Sequence, residues 1–460
     1  TAHGTIAANA PVIVRSDGKV STITGVSASF SSQANSGIAL DLGSGSYSDN
    51  CHYFSADYDP TDNKICAAWY EDRGQNELYA IIGTVSGTSV TWGSKVTVYS
   101  GESSAWIKCC WAQPGVVMVA YDRTNTTRAR YISTSGNNGT LNSGGECTII
   151  GYNSQYGDLK RTSNNGKCFV TYNHSQTGKA EIQQLYINGA SISNSGGSNL
   201  DSSAYNHYAR LHYAASKNAM IVTFLPNGGT YNGRGTLMLV ANANTTSFTY
   251  KSSDKVYLNG GHDNDVQQPV PAWDPDNERM LIMYGNDSSG VPRSVEIGQI
   301  TGSGSSVVPS LSGTRLDAGG DEANHETKFY YDSYKKKFIA AYKNVYDSKF
   351  MYRTYELNAA LDGVTMSSAI VISSTGGLAN NSYQTALEMV NISNAKWFTL
   401  FGIDSPAGGG TGQAYIQKRI LDFGSTDLTT GNCIGFSSAG YSDGNTATIN
   451  VVGNTTTQSS

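Results

Sequence analysis

Residues 59–100 read DPTDNKICAAWYEDRGQNELYAIIGTVSGTSVTWGSKVTVYS, and the fold is decided by this stretch. It opens with Asp59-Pro60-Thr61-Asp62-Asn63, in which Asx and Pro residues preset a chain reversal. The solid apolar run KICAAWY (64–70) follows and is too short for a helix. A run without alternation is a strand that must be covered on both faces. Beyond a polar loop come a third strand, a glycine-containing turn and a fourth strand that alternates. Another short strand precedes the turn, so the unit is four antiparallel strands long.

The unit recurs. Apolar runs end in an aromatic at Tyr70, Tyr121, Tyr172, Phe224, Tyr284, Tyr342 and Phe401. Their spacing is regular, closer over the first three intervals than over the last three. Four positions before each ending stand Cys66, Val117, Cys168, Met220, Met280, Phe338 and Trp397. The turn Asp274-Pro275-Asp276-Asn277 nearly repeats the first. Four-stranded units at this period, buried on both faces, predict an all-β, seven-bladed β-propeller with antiparallel blades. The seventh repeat has no good fourth strand after residue 423, whereas GVSASFSSQANSGIALDLGSGS (25–46) matches the fourth strand of the first repeat and has no partners of its own. Residues near 26–42 are therefore expected to complete the last blade and remove its open edge. The propeller spans 25–421. Residues 1–24 and 422–460, each with a DG turn among alternating residues, are expected to form a small β module for attachment.

Composition sets the boundaries of function. Of 460 residues only 15% are charged, 51 are Gly and 29 are Tyr, a mix that favours turns and strands. The net charge of −5 argues against a general nucleic-acid binder. No apolar run approaches the length needed to span a bilayer, so no transmembrane helix is expected. The opening Thr1-Ala2-His3-Gly4 lacks the basic and apolar regions of a signal peptide. Seven scattered cysteines without CxxC pairs do not read as a disulfide framework or a zinc site, and fit synthesis in a reducing cytoplasm. The tail NTTTQSS ends without a capping feature, so the gene product is expected to run on.

Candidate sites come from the repeat columns. One fixed offset back from each landmark gives Tyr53, Ser104, Gln155, His207, Gln267, His325 and Gln384. All seven can hydrogen-bond, and on the first strands of a propeller they would form a polar ring at one mouth of the channel. The competing explanation is a wet channel wall whose polar groups bond water. The acidic loops Gly261–Asp265 and Asp321–Glu326 carry oxygen donors suited to Ca²⁺ or Mg²⁺, but neither has a fixed-spacing motif and solvation explains both. No metal and no cofactor is expected. The motifs GxSxG, GxxxxGK[ST] and HExxH are missing, so no enzyme is expected. A pair of carboxylates from the two loops, Asp263 or Asp265 with Glu322 or Glu326, keeps a glycosidase as the alternative.

The segments ADYDPTDNKICAAWY (56–70) and AIIGTVSGTSVTWGSKVTV (80–98) resemble repeats in structural proteins of marine tailed bacteriophages. The flanks at 3–23 and 432–453 are similar to segments of tail-fibre or appendage proteins. The resemblance covers nearly the whole chain, follows glycines and turns, and marks no active site. It implies a component of the virion, made in the host cytoplasm, that takes part in assembly and host-surface contact. Its implied partners are other virion proteins, further copies of itself and a host-surface glycan, without nucleic acid or membrane insertion. The alternatives are a glycan-cleaving tail enzyme and a purely structural tail or capsid-decorating protein.

Overall fold

The computed structural model describes residues 11–14, 20–22, 29–30, 51–71, 76–87, 89–101, 104, 106–163, 165–174, 176–200, 205–227, 235–258, 266–286, 294–314, 316–317, 327–344, 349–373, 387–393, 396–404, 414–422, 435–437, 440, 442 and 449–450. Among these there is no α-helix, and single-turn 3-10 segments lie at Ala215–Lys217 and Gly304–Ser306. No helix is long and apolar enough to cross a membrane. The chain divides into two compact units, Thr1–Phe30 with Leu421–Ser460, and Ser31–Ile420. The first contains a four-stranded antiparallel sheet in the order Val20–Thr22, Pro11–Val14, Gly435–Ser437, Ile449–Asn450.

The second unit is a ring of sheets whose inner strands pack one on the next. Six blades are each built from consecutive chain: blade 1 over Cys51–Ser100, blade 2 over Ile107–Ile150, blade 3 over Ser154–Asn199, blade 4 over Tyr205–Tyr257, blade 5 over Val266–Asp317 and blade 6 over Lys328–Ser373. The expected seven four-stranded blades are corrected here to six. The remaining strands, Leu387–Ser393, Lys396–Asp404 and Ala414–Asp422, form a composite sheet whose fourth strand is Ser29–Phe30, paired with Leu421 and Asp422. This sheet meets blade 6 through Trp397 Nε1, which donates to Asp332 Oδ2 at 2.6 Å. It meets blade 1 through an edge-to-face contact of Trp92 and Phe398 at 6.0 Å.

Each outer strand is also broken in two. In blade 1, Ser89–Trp92 pairs with one half of Glu77–Ser86 and Val96–Ser100 pairs with the other. The break falls at Gly93, where the turn of blade 2 comes so close that a Cβ would sit 1.8 Å from the Asn137 carbonyl oxygen. Gly144 stands in the same relation to Ala190 of blade 3, at 2.3 Å. A glycine is required at both because backbone of one blade occupies the space of a side chain on its neighbour.

The turns behave as their sequences dictate. Asp59 Oδ1 accepts from Thr61 N at 3.0 Å, and Asp274 Oδ1 from Asp276 N and Asn277 N at 2.9 and 3.2 Å. Asp332 repeats the arrangement with Tyr334 N and Lys335 N at 2.9 and 3.0 Å. The second strands are then buried from their second residue on, as in Lys64–Glu71 and Lys167–His174, while Ser89–Trp92 alternates between exposed and half-buried. Each second strand sends its two faces to two different blade interfaces. Cys66, Ala68 and Tyr70 pack against Trp111, Val117 and Tyr121 of blade 2, whose other face, Cys110, Met118 and Ala120, packs against Cys168, Val170 and Tyr172 of blade 3.

This facing corrects the first repeat by one position. Gln155, His207 and Gln267 pair with Asn173, Leu225 and Gly285, each next in sequence after its landmark. In blade 1 the equivalent pair is His52 with Tyr70, so Trp69, not Tyr70, stands in the landmark position. A slip of a single position moves a side chain to the opposite face of a strand. Hence Cys66 and Cys168 are not equivalent: one faces forward to blade 2 and the other backward to it. Their thiols meet Cys109 and Cys110 respectively, with Sγ–Sγ distances of 3.6 and 3.3 Å.

Candidate functional site

The inner strands of several blades carry a bulge near their start. Pairing shifts between His52 and Ser55, Gln155 and Asp158, His207 and Arg210, and Gln267 and Val270. A pair of neighbours in each case stands outside the ladder, with positive φ at Tyr53 (59°) and Gln268 (43°). A bulge re-aims the side chain that follows it. The residues that follow these bulges, Ser55, Asp158, Arg210 and Val270, form a ring around the channel with Lys108, Lys328 and Glu388, one from each sheet. Further along the strands, on the same face, Lys160, His212 and Tyr330 add a second tier. Together they enclose a cavity of about 30 Å³, room for a few waters or one small ion.

The sequence-derived column lies on the other side of the bulge, earlier in each strand. Gln155, His207 and Gln267 occupy the last paired position before it. Tyr53 is half-buried inside the bulge and packs beside Tyr70, ring centroids 6.3 Å apart. Ser104 is buried and its Oγ donates to the Trp106 carbonyl at 2.8 Å. Neither Tyr53 nor Ser104 lines the cavity. His325, Gln384 and both acidic loops lie outside the described residues. Among the described residues no group of three or more His, Cys, Asp or Glu side chains is placed to hold a metal.

The ring was readable from another signal, charges on the inner strands of a chain with few charges: Lys108, Asp158, Lys160, Arg210, Lys328 and Glu388. The anions are engaged. Asp158 Oδ2 accepts from Leu211 N of blade 4 at 2.9 Å, and its Oδ1 from Leu159 N at 2.9 Å. Asp57 makes the same kind of clip between blades 1 and 2, accepting from Trp111 N at 2.9 Å. Glu388 accepts from Lys328 Nζ and Tyr330 Oη, both at 3.0 Å, and from Met389 N at 3.2 Å.

Electrostatics follow from this crowding. Burial would raise the carboxyl of Glu388, but Lys328, Lys108 and Lys160 outweigh it and hold the group below the usual carboxylate range. For Asp158 the same reversal comes from Lys160, Arg210 and Lys108. Lys160, which burial alone would lower, is held above its ordinary value by Tyr330 and the two carboxylates, and its Nζ lies 5.5 Å from the centre of the Tyr330 ring. Burial, then Lys160, pushes His212 down to about 4, so it is neutral at pH 7. Lys108 is the exception among the amines. Burial first and the Lys328 charge second lower it to about 7.

No family model and no curated protein matches this sequence. Solved structures do match in shape. A lectin, BP39L from Burkholderia pseudomallei, superposes with a TM-score of 0.55 at 9% identity, over 81% of this chain and 96% of the lectin. The fold is a β-propeller. The polysaccharide lyase Uly1 gives a TM-score of 0.49 at 8% identity, over 79% of this chain and 88% of the lyase. Sqt1 from Chaetomium thermophilum gives 0.48 at 8% identity, over 81% and 87%. At such identities the likeness extends to the fold alone.

Proposed function

We propose that this propeller is a non-enzymatic component of a bacteriophage virion appendage, such as a tail fibre, and that its blades contact a glycan on the host surface. Within the channel, the observation that supports a binding rather than a catalytic role is its own geometry; the acidic loops of the glycosidase alternative lie outside the described residues. The channel's cavity of about 30 Å³ cannot admit a sugar ring, and its carboxylates are fixed by backbone amides, Lys328 and Tyr330. A glycosidase needs one carboxyl free to donate a proton and a second free to attack or activate water. Recognition then falls to the outer surface, where turns and outer strands present Ser, Thr, Asn and Tyr. In this reading the terminal β module makes the assembly contacts with other virion proteins and further copies of the chain, and the propeller is displayed outward.

The test uses the full chain with host cells and their purified surface polysaccharide. Saturable binding to cells, competed by the polysaccharide and without release of reducing or unsaturated ends, is the expected result. Release of such ends would replace this reading with a glycan-cleaving enzyme. Neither binding nor release, in a protein found in purified particles, would leave a structural ring.

A further inference from the structure

The charges around the channel do not balance. Lys108, Lys160, Arg210 and Lys328 face only Asp158 and Glu388 across the cavity, two cations in excess. Lys328 is matched by Glu388 at 3.0 Å, and Asp158 is already committed to the Leu211 amide. Arg210 Nη1 donates to the carbonyl of Ala209 at 3.2 Å, and its charge acts on Asp158 without an ion pair among the described residues. Lys108 is 5% exposed and lines the cavity; Lys328 and Arg210 repel its ammonium and Glu388 and Asp158 attract it, and neither carboxylate forms an ion pair with it, Glu388 pairing with Lys328 instead. A largely buried ammonium without a fixed acceptor keeps only part of its hydration. Water in the cavity would restore hydrogen bonds but adds no negative charge, and without one Lys108 is held down near 7 and gives up its proton in about half of the molecules at pH 7.

We propose that the centre of the propeller binds a small inorganic anion of chloride size, held by Lys108 with Lys160 and Arg210. Size and charge both select it. The cavity of about 30 Å³ has room for one such ion, and a monovalent anion takes up half of the surplus. Since these lysines and Arg210 belong to blades 2, 3 and 4, the ion would add a link among three inner strands beside the Asp158–Leu211 bond. The inference is independent of whether the surface binds a glycan.

Thermal unfolding at fixed ionic strength tests it, with chloride replacing gluconate, an anion too large for the cavity. The expected result is a melting temperature that rises with chloride and follows the logarithmic form of ligand linkage, RT ln(1 + [L]/Kd). In Lys108→Met, which keeps most of the length of the side chain and removes the charge, that rise is expected to vanish. Equal melting in chloride and gluconate, or the same chloride dependence in Lys108→Met, would overturn the proposal. If the variant does not fold, bromide soaked into crystals of the unaltered protein decides. An anomalous peak within hydrogen-bond reach of Lys108 Nζ supports the site, and a cavity without one refutes it.

Discussion

The interfaces between blades and the lining of the channel are built from the same short strands, yet they obey opposite rules. At the interface of blades 1, 2 and 3, Trp111, Tyr121, Tyr172 and four cysteine thiols pack as an apolar layer, with carboxylates only at its margins, Asp57 on Trp111 N, Glu146 on Tyr121 Oη and Glu181 on Tyr172 Oη. Further inward, the strand edges meet in a ring of lysines, an arginine and carboxylates. The interface gains stability mainly from area removed from water, roughly 25 cal/mol per Å², a term that does not depend on pH. The channel holds charges whose desolvation is offset only where partners are well placed, and its contribution depends on protonation. The outer shell of the propeller is therefore where stability resides, while the axis is where stability is conditional.

Substitutions that strike each region separately sharpen that contrast. Trp111→Ala is expected to have the largest effect, about 3–5 kcal/mol in urea unfolding. It empties a fully buried site and deletes the bond from its Nε1 to the Asp57 carbonyl at 3.1 Å. A loss below about 1 kcal/mol, the typical cost of any single substitution, would mean that the blade interface is not the main source of cohesion.

Glu388→Gln follows, at about 3 kcal/mol at pH 7, because it leaves the Lys328 ammonium buried against a neutral amide. This effect carries a pH signature. Glu388 and Asp158 are held low in the folded protein, so what they contribute is complete above their ordinary values near 4 and is lost as pH falls through the lowered folded values. Lys108 acts with the opposite sense of cost. Its folded value near 7 lies below its ordinary value, so the unfolded chain binds more protons between about pH 7 and 10 and stability should climb across that window. Unfolding midpoints measured across the acid and alkaline ranges should show both slopes, with the acid slope weakened in Glu388→Gln and the alkaline one missing in Lys108→Met. A flat profile would remove the distinction between axis and shell.

The thiol pairs give a smaller effect. Cys109 and Cys110 point to opposite faces of one strand, each against a thiol of a different neighbour. Replacing either with Ala should cost about 1 kcal/mol, and the double change should be additive within about 0.5 kcal/mol because the two cavities are separate. Burial holds the Cys66 and Cys110 thiols well above their ordinary values. Thiol titration of the native protein is therefore expected to leave them unmodified until it unfolds. The smallest effect belongs to the exposed pair Lys337–Glu356, 3.0 Å apart on the surface of blade 6. Glu356→Gln should change stability by less than about 0.5 kcal/mol, and a larger loss would show that surface charge matters more than the contrast of shell and axis allows.

By itself the sequence determined the repeat. Solid apolar runs preceded by turns, returning at a regular period, require strands covered on both faces, and KICAAWY carries that message without reference to anything distant. The need for a strand from the N-terminal region was legible too, since the last repeat lacked one, and Ser29–Phe30 does pair with Leu421 and Asp422. Tertiary structure decided what local pattern leaves open. Trp69 rather than Tyr70 aligns with the later aromatics because facing depends on the pairing register, which two adjacent aromatic side chains cannot reveal. Bulges after His52, Gln155, His207 and Gln267 shifted the channel ring away from the counted column, and a bulge leaves no fixed mark in composition. The charges of Lys108, Asp158, Arg210, Lys328 and Glu388 were visible as isolated oddities in five separate strands. Only closure of the ring brings them within reach of one another, because their interaction is set by distance through space and not by separation along the chain.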